Sequence, residues 1–206
     1  MLKPEGFPYN QQWMTADELE ARLFDKGEAL SVAKVLDAYA MAKSVHEFQK
    51  RNDGTPYFYH STRVAKILMD ELHVFDADVI SAALLHDVLE DSDAITRGVL
   101  EYNFGSYVAY MVEVLTKDLS RAKMAPDEVD IQHVAALSAA SDDCVIIRLT
   151  ARLDNFRCLG FSLKRNPHIY IQNTFSRYLP IAEKSSNACL EYLREEIRSV
   201  ANKFLG

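Results

Sequence analysis

Residues 77–91 read Ala-Asp-Val-Ile-Ser-Ala-Ala-Leu-Leu-His-Asp-Val-Leu-Glu-Asp. Asp76 supplies an N-cap, and the run Val79–Leu85 is apolar on nearly every side of a helical wheel. The stretch therefore predicts a central, buried helix from Ala77 to Glu90. That helix ends in four ionisable residues. At about 100° per residue, His86, Asp87, Glu90 and Asp91 fall within an arc of about 140° and share one face. Carboxylates in the last turn of a helix oppose its macrodipole, whose negative end favours Lys or Arg by about 0.3–1 kcal/mol per charge. A divalent cation held by imidazole and carboxylate reverses that penalty, and neutral His with hard Asp oxygen suits Mn, Fe or Zn. Taken alone, the same short string fits a solvated helix end with a satisfied histidine equally well.

Outward from this stretch the chain reads as helices. Thr15-Ala-Asp-Glu18 has capping-box spacing and opens the first helix, with Gly27 as its stop. Apolar residues recur at helical spacing from Glu28 to about Lys50, and again from His60 through Leu72. The breaker cluster Asn52-Asp-Gly-Thr-Pro56 separates the two. Further helical periods cover about 94–103, 105–116, 126–140, 142–159, 168–183 and 184–204, with breaks near Gly105, Pro126, Gly160 and Pro167. Residues 1–14 carry two prolines, a glycine and several amides, and read as an extended arm on the surface or against a neighbour. Alternating patterns of strand length are scarce. The expectation is an all-α chain in which residues 15–206 form one helical domain behind the arm.

The composition excludes several function classes. Apolar residues make up 49% and charged residues 26% of the 206 residues, the balance of an ordinary globular chain. Seven Gly and six Pro are too few for a loop-rich all-β architecture. Against 23 basic residues stand 30 acidic ones, a net charge of −7. No global positive field exists to hold a nucleic acid or an anionic membrane, so any phosphate binding must be local. Cys144, Cys158 and Cys189 show no CxxC spacing, which supports neither a disulfide framework nor a thiolate zinc site and fits a reducing cytoplasm. No apolar stretch approaches the roughly 18 residues of a membrane span, and the N-terminus lacks the apolar core of a secretion signal.

A wider constellation surrounds the His-Asp pair. His46-Glu-Phe-Gln-Lys-Arg-Asn-Asp-Gly-Thr-Pro-Tyr-Phe-Tyr-His60 is followed by Arg63-Val-Ala65, then by His86-Asp87 with Glu90-Asp91, then by Thr116-Lys117. Arg148-Leu-Thr-Ala-Arg-Leu-Asp-Asn-Phe-Arg157 comes next, and Thr174 with Tyr178-Leu-Pro-Ile-Ala182 closes the series. Over about residues 28–195 this order resembles the hydrolase domain of RelA/SpoT homologues. The chain length leaves no room for the synthetase and regulatory domains of long members, so the expected type is a small alarmone hydrolase. The resemblance implies an all-α HD-domain helical bundle that removes the 3′-pyrophosphate from (p)ppGpp, giving GDP or GTP and pyrophosphate, with one manganese ion as cofactor. Carried over position by position, His60, His86 and Asp87 would be metal ligands, and Glu90 and Asp91 would orient or deprotonate the attacking water. Arg51, Asn52, Lys117, Arg152 and Asn155 would hold the guanosine polyphosphate. His46 and Tyr57 read at least as well as packing residues. The partner is a small molecule; a homodimer is left open.

One position departs from the family pattern. Its fourth metal ligand is an aspartate in a Leu-Ala-Asp-Arg-Leu stretch, and here the aligned string is Leu149-Thr-Ala-Arg-Leu153, which puts Ala151 at that place. Arg148, Arg152 and Asn155 fall within about 100° of one another on the same arc of the helix, so the polar face persists without its carboxylate. Asp154 lies one turn on, displaced by about 4.5 Å along the helix and about 60° around it, and reads as a poor replacement. Loss of one anionic ligand weakens a metal site. The alternatives are a working three-residue site, an inactivating substitution, a catalytically silent alarmone-binding protein, or an HD phosphohydrolase for a dNTP or NADPH.

Overall fold

The computed structural model describes residues 7–24, 26, 29–117, 125–161 and 166–205, and among these it is helical with no strand. The first helix, α1 (Ala16–Leu23), opens on the expected capping box: the Glu18 amide donates to Thr15 Oγ1 at 3.1 Å and the Thr15 amide to Glu18 Oε2 at 2.7 Å. Gly27, read as its stop, lies outside the described residues. After α2 (Ala29–Val45) the chain reverses in a tight loop closed by a bridge between Lys50 and Pro56, with the Arg51 amide donating to Thr55 O at 2.8 Å. Gly54 turns the corner at φ +85°, a conformation that costs glycine little and other residues more.

The next two helices are α3 (Phe58–Asp70) and α4 (Ala77–Leu85). Asp76 caps α4 through the amides of Asp78 and Val79, at 2.9 and 3.1 Å. Every residue from Val79 to Leu85 is buried, and α2 and α3 pack against this segment, which makes α4 the central rod that its composition predicts.

The rod stops earlier than the sequence suggests. Helix Ala77–Glu90 is not continuous: α4 ends at Leu85, and α5 (Val88–Asp91) is a separate turn. The His86 ring Nδ1 donates to Ala83 O at 2.8 Å, taking a carbonyl that a continuing helix would use, and Asp87 adopts φ −109°, ψ −1°. Glu90 and Asp91 thus sit in the first turn of α5 rather than the last turn of a long helix, and the macrodipole argument does not apply to them.

Beyond Gly105, at φ +91°, α6 (Arg97–Phe104) turns into α7 (Ser106–Leu115). Then come α8 (Pro126–Ala139), α9 (Asp142–Arg157), a 3-10 turn (Leu159–Phe161) and α10 (Pro167–Asn173). A π-helical turn (Thr174–Tyr178) leads directly into α11 (Leu179–Ala182), so the helical period expected over 168–183 is present with a π turn inside it. Finally α12 (Ala188–Asn202) starts from an Asn187 cap. Like α4, α9 is buried on most sides, packed against α12, α3, α7 and α4.

The described part of the arm, Phe7–Met14, does not extend away from the body. Tyr9–Gln11 form a 3-10 turn, Asn10 and Met14 are buried, and the Met14 amide donates to Thr62 Oγ1 at 3.1 Å. All three cysteines are free thiols, and no helix among the described residues is long and apolar enough to cross a membrane.

Candidate metal centre and active-site cavity

The break after α4 has a chemical consequence. It places His86 and Asp87 at the inner end of the central rod, opposite His60 near the start of α3. One ligand atom from each of His60, His86 and Asp87 lies within 4.8 Å of the others, and all three residues are buried. Both imidazoles are already held by the ring nitrogen that faces the protein. His60 Nδ1 is 2.6 Å from Asp154 Oδ2 and His86 Nδ1 is 2.8 Å from Ala83 O, which leaves Nε2 of each ring on the side of the group of three. Asp87 Oδ2 accepts the Tyr57 hydroxyl at 2.7 Å and lies 3.1 Å from His86 Nε2.

The electrostatics suit a cation in the middle of this group. Burial, followed by the Arg51 charge, pushes His60 down to about 3, so its ring is neutral at neutral pH. Burial works against the Asp87 carboxylate, but His86, His60 and the Tyr57 hydroxyl outweigh it and hold the carboxyl well below the usual range. Burial likewise disfavours the His86 imidazolium, and the Asp87 carboxylate overcomes this and raises its pKa. His86 and Asp87 each favour their charged forms beside one another, so a cation bound there would take the place of the His86 proton and leave a nitrogen–oxygen set that fits a borderline divalent metal.

Above the three residues lies a cavity of about 340 Å³. Its wall carries five cationic side chains, Lys50, Arg51, Lys117, Arg148 and Arg152, against three carboxylates, Asp53, Asp87 and Glu90. A chain of net charge −7 therefore turns a positive surface inward, the local anion site that its composition requires. Arg51 hydrogen-bonds Asn155 Oδ1 across the cavity, joining the loop after α2 to α9. Arg152 donates from Nη1 to Thr174 Oγ1 at 2.7 Å, and the Nε atoms of both Arg148 and Arg152 are buried without a hydrogen-bond partner. Asn52 also lines the wall. Lys117 does so too, with its ammonium bound to Asp130 at 2.6 Å.

The two acids of α5 part company. Glu90 lines the cavity and accepts the Lys117 amide at 2.6 Å; burial and then the Asp87 charge push its carboxyl up to about 7. A group with that pKa can take or give a proton near neutrality. Asp91 lies outside the cavity wall, with Oδ2 3.5 Å from Nδ1 of the buried His46. The His46 ring packs against Tyr57, centroids 4.9 Å apart. His46 and Tyr57 are thus packing residues, and Tyr57 has a site role as well through Asp87.

Ala151 is buried on the wall, on the same side as Arg152 and Asn155. Asp154 does not turn toward the cavity in its place. Its carboxylate faces the other way, toward His60 and Arg63, where it accepts Arg63 Nε at 2.6 Å and Nη2 at 3.1 Å. Sequence reasoning placed Arg148 on the polar arc of α9 without giving it a site role, and it missed Tyr170, which also lines the cavity. The available signal was the row of arginines on α9 followed by an aromatic residue, Tyr170, on α10.

The family described as "HD domain" matches residues 38–186. Over 171 residues, 82% of its length, the chain is 33% identical to the GTP pyrophosphokinase rsh of Brucella melitensis biotype 1, of which it spans 22%. Over 169 residues, again 82% of its length, it is 34% identical to the guanosine-3′,5′-bis(diphosphate) 3′-pyrophosphohydrolase of Aquifex aeolicus, of which it spans 23%. The chain thus covers less than a quarter of these long relatives. A shorter relative, the guanosine-3′,5′-bis(diphosphate) 3′-pyrophosphohydrolase of Danio rerio, is 37% identical over 132 residues, 63% of this chain and 71% of that one. The solved structure of a metazoan ortholog of SpoT that hydrolyzes ppGpp superposes with a TM-score of 0.68 at 31% identity, covering 80% of this chain and 93% of that one. Helical frame, buried His-His-Asp group and relatives agree: the chain belongs to the HD-domain family, on its RelA/SpoT-like hydrolase branch.

Proposed function

We propose that this chain hydrolyses the 3′-pyrophosphate of guanosine 3′-pyrophosphates in a metal-dependent reaction, giving GDP or GTP and pyrophosphate. The observation that carries the reading is the buried group of His60, His86 and Asp87 at the base of a cavity whose wall is predominantly cationic. The relatives named for this activity supply the choice of nucleotide. His60, His86 and Asp87 would hold the metal, which we take to be Mn2+; when bound, it lowers the pKa of a water and polarises a phosphoryl oxygen.

The side chains divide the remaining work. Arg51, Arg148 and Arg152 neutralise and orient the polyphosphate, a task for which the fixed fork of a guanidinium is well shaped. Asn155 and Asn52 offer neutral donors beside them, and Lys117 contributes chiefly by fixing Glu90 through its backbone. Glu90 accepts a proton from the attacking water. The water oxygen bonds to the phosphorus next to the 3′ oxygen, the bond between that phosphorus and the 3′ oxygen breaks, and the proton passes to the departing 3′ oxygen. Asp91 acts at one remove, through His46 and Tyr57 on Asp87.

The test is Mn2+-dependent release of pyrophosphate from ppGpp by this chain and by its Ala151→Asp variant. We expect release by both, with the variant saturating at lower Mn2+ because it gains a fourth ligand, the second anionic one. Failure of both variants to release pyrophosphate overturns the assignment. Ala151 supports one second reading, in which the chain binds the nucleotide without cleaving it. In that case ppGpp binds to the unaltered chain and only Ala151→Asp releases pyrophosphate.

A further inference from the structure

Asp154 is the most heavily engaged carboxylate near the cavity. It is wholly buried and accepts four hydrogen bonds: from His60 Nδ1 at 2.6 Å, Arg63 Nε at 2.6 Å, Arg63 Nη2 at 3.1 Å and the Tyr9 hydroxyl at 2.9 Å. A carboxylate has about four lone-pair sites, so this one has none left for a metal. Its place is behind the ligand His60, fixing the ring so that Nε2 faces the group of three.

Two of its donors tie it to the N-terminal arm. Tyr9 is 145 residues away in sequence. The Arg63 guanidinium that neutralises Asp154 also grips the arm from Nη1, donating to Asn10 O at 3.0 Å and to Gln12 O at 2.9 Å. Asn10 in turn donates from Nδ2 to Asp53 Oδ2 at 3.1 Å, on the loop that carries Arg51. The arm therefore touches the cavity on two sides: behind a metal ligand and behind the anion-binding loop.

We propose that Tyr9 and Asp154 are positioning residues for the metal, and that the arm Phe7–Met14 is part of the site because it holds His60 in its ligating orientation. The proposal rests on the metal reading given above. Coupling of this kind is reciprocal: whatever the docked arm does for metal affinity, bound metal does for docking of the arm.

The experiment is Mn2+ titration calorimetry on the full chain and its Tyr9→Phe and Asp154→Asn variants, with the visible spectrum of the Co2+ form as a readout of ligand geometry. Amide hydrogen exchange of residues 9–14 is followed with and without Mn2+. Partners behind a ligand are worth about 10–100-fold in metal affinity, and we expect that loss for Asp154→Asn. Tyr9→Phe stands one step further back and is expected to weaken Mn2+ binding by about three- to tenfold and to alter the Co2+ spectrum. It keeps the aromatic ring beside Arg63 and Arg157, so it folds even if Asp154→Asn, which strands a buried Arg63, does not. Loss of its one hydrogen bond lowers the metal-free melting temperature by only about 2–4 °C. Mn2+ slows exchange in the arm of the unaltered chain. The proposal is overturned if Tyr9→Phe matches the unaltered chain in Mn2+ affinity and Co2+ spectrum and the arm exchanges equally fast with and without metal. If the unaltered chain binds no divalent metal at all, the metal reading fails and takes this proposal with it.

Discussion

The Arg152 guanidinium lies over the Tyr178 ring, with its central carbon 3.5 Å from the ring centroid. Stacking and the bond to Thr174 hold the cation still while Nε remains unpartnered on a residue of the cavity wall. A desolvated cation–π contact is worth about 2 kcal/mol. Tyr178→Leu is expected to raise KM for the nucleotide about tenfold and to cost about 2–4 kcal/mol of stability. Tyr178→Phe keeps the platform and loses only the hydroxyl that donates to Asp130 at 2.6 Å. It should cost about 1–2 kcal/mol and leave KM unchanged. Steady-state kinetics with urea unfolding separates the two; equal KM values in both variants would remove the platform role.

Glu90 gives a pH signature that can be read without turnover. Its carboxyl is raised from an ordinary 4.5 to about 7, by burial first and Asp87 second. Between those values the folded chain binds a proton that the unfolded chain has released, so metal-free stability falls as pH rises through the window. Glu90→Gln removes that dependence. Scanning calorimetry of the metal-free proteins should find the variant melting above the unaltered chain at pH 8, with the gap closing by pH 5. Parallel melting curves at every pH would show that Glu90 does not titrate there. The same substitution should lower kcat by about 10²–10⁴-fold if Glu90 handles the proton.

Gly54 tests the loop that carries Arg51 and Asn52. A methyl group there would meet nothing within 4 Å, so Gly54→Ala isolates the cost of φ +85°. That cost is about 1 kcal/mol, or about 2–4 °C in melting temperature. Because the Gly54 amide donates to Arg51 O at 2.9 Å, relaxing the turn displaces Arg51. We expect KM to rise and kcat to hold; a change in kcat alone would place the loop's role in the chemical step.

Much of this was legible in the sequence, and the exceptions have physical causes. The apolar run Val79–Leu85 announced a buried rod, the Thr15 and Asp76 caps announced helix starts, and His60, His86 and Asp87 do come together in space. A helical wheel assumes an unbroken helix, however, and so could not show His86 capping Ala83 and turning Glu90 and Asp91 onto a second element. Spacing along α9 marked Asp154 as a displaced carboxylate but not its direction, because that direction is set by Arg63 and by Tyr9 at the far end of the chain. The arm was read from composition alone, and composition does not register a contact across 145 positions.

The π-helical turn over Thr174–Tyr178 amounts to one surplus amino acid in an otherwise α-helical path. Deleting a single residue there would close the π turn into an α turn and leave the helices on either side facing as they do, so this is the point at which the segment can absorb a change of length beside Arg152.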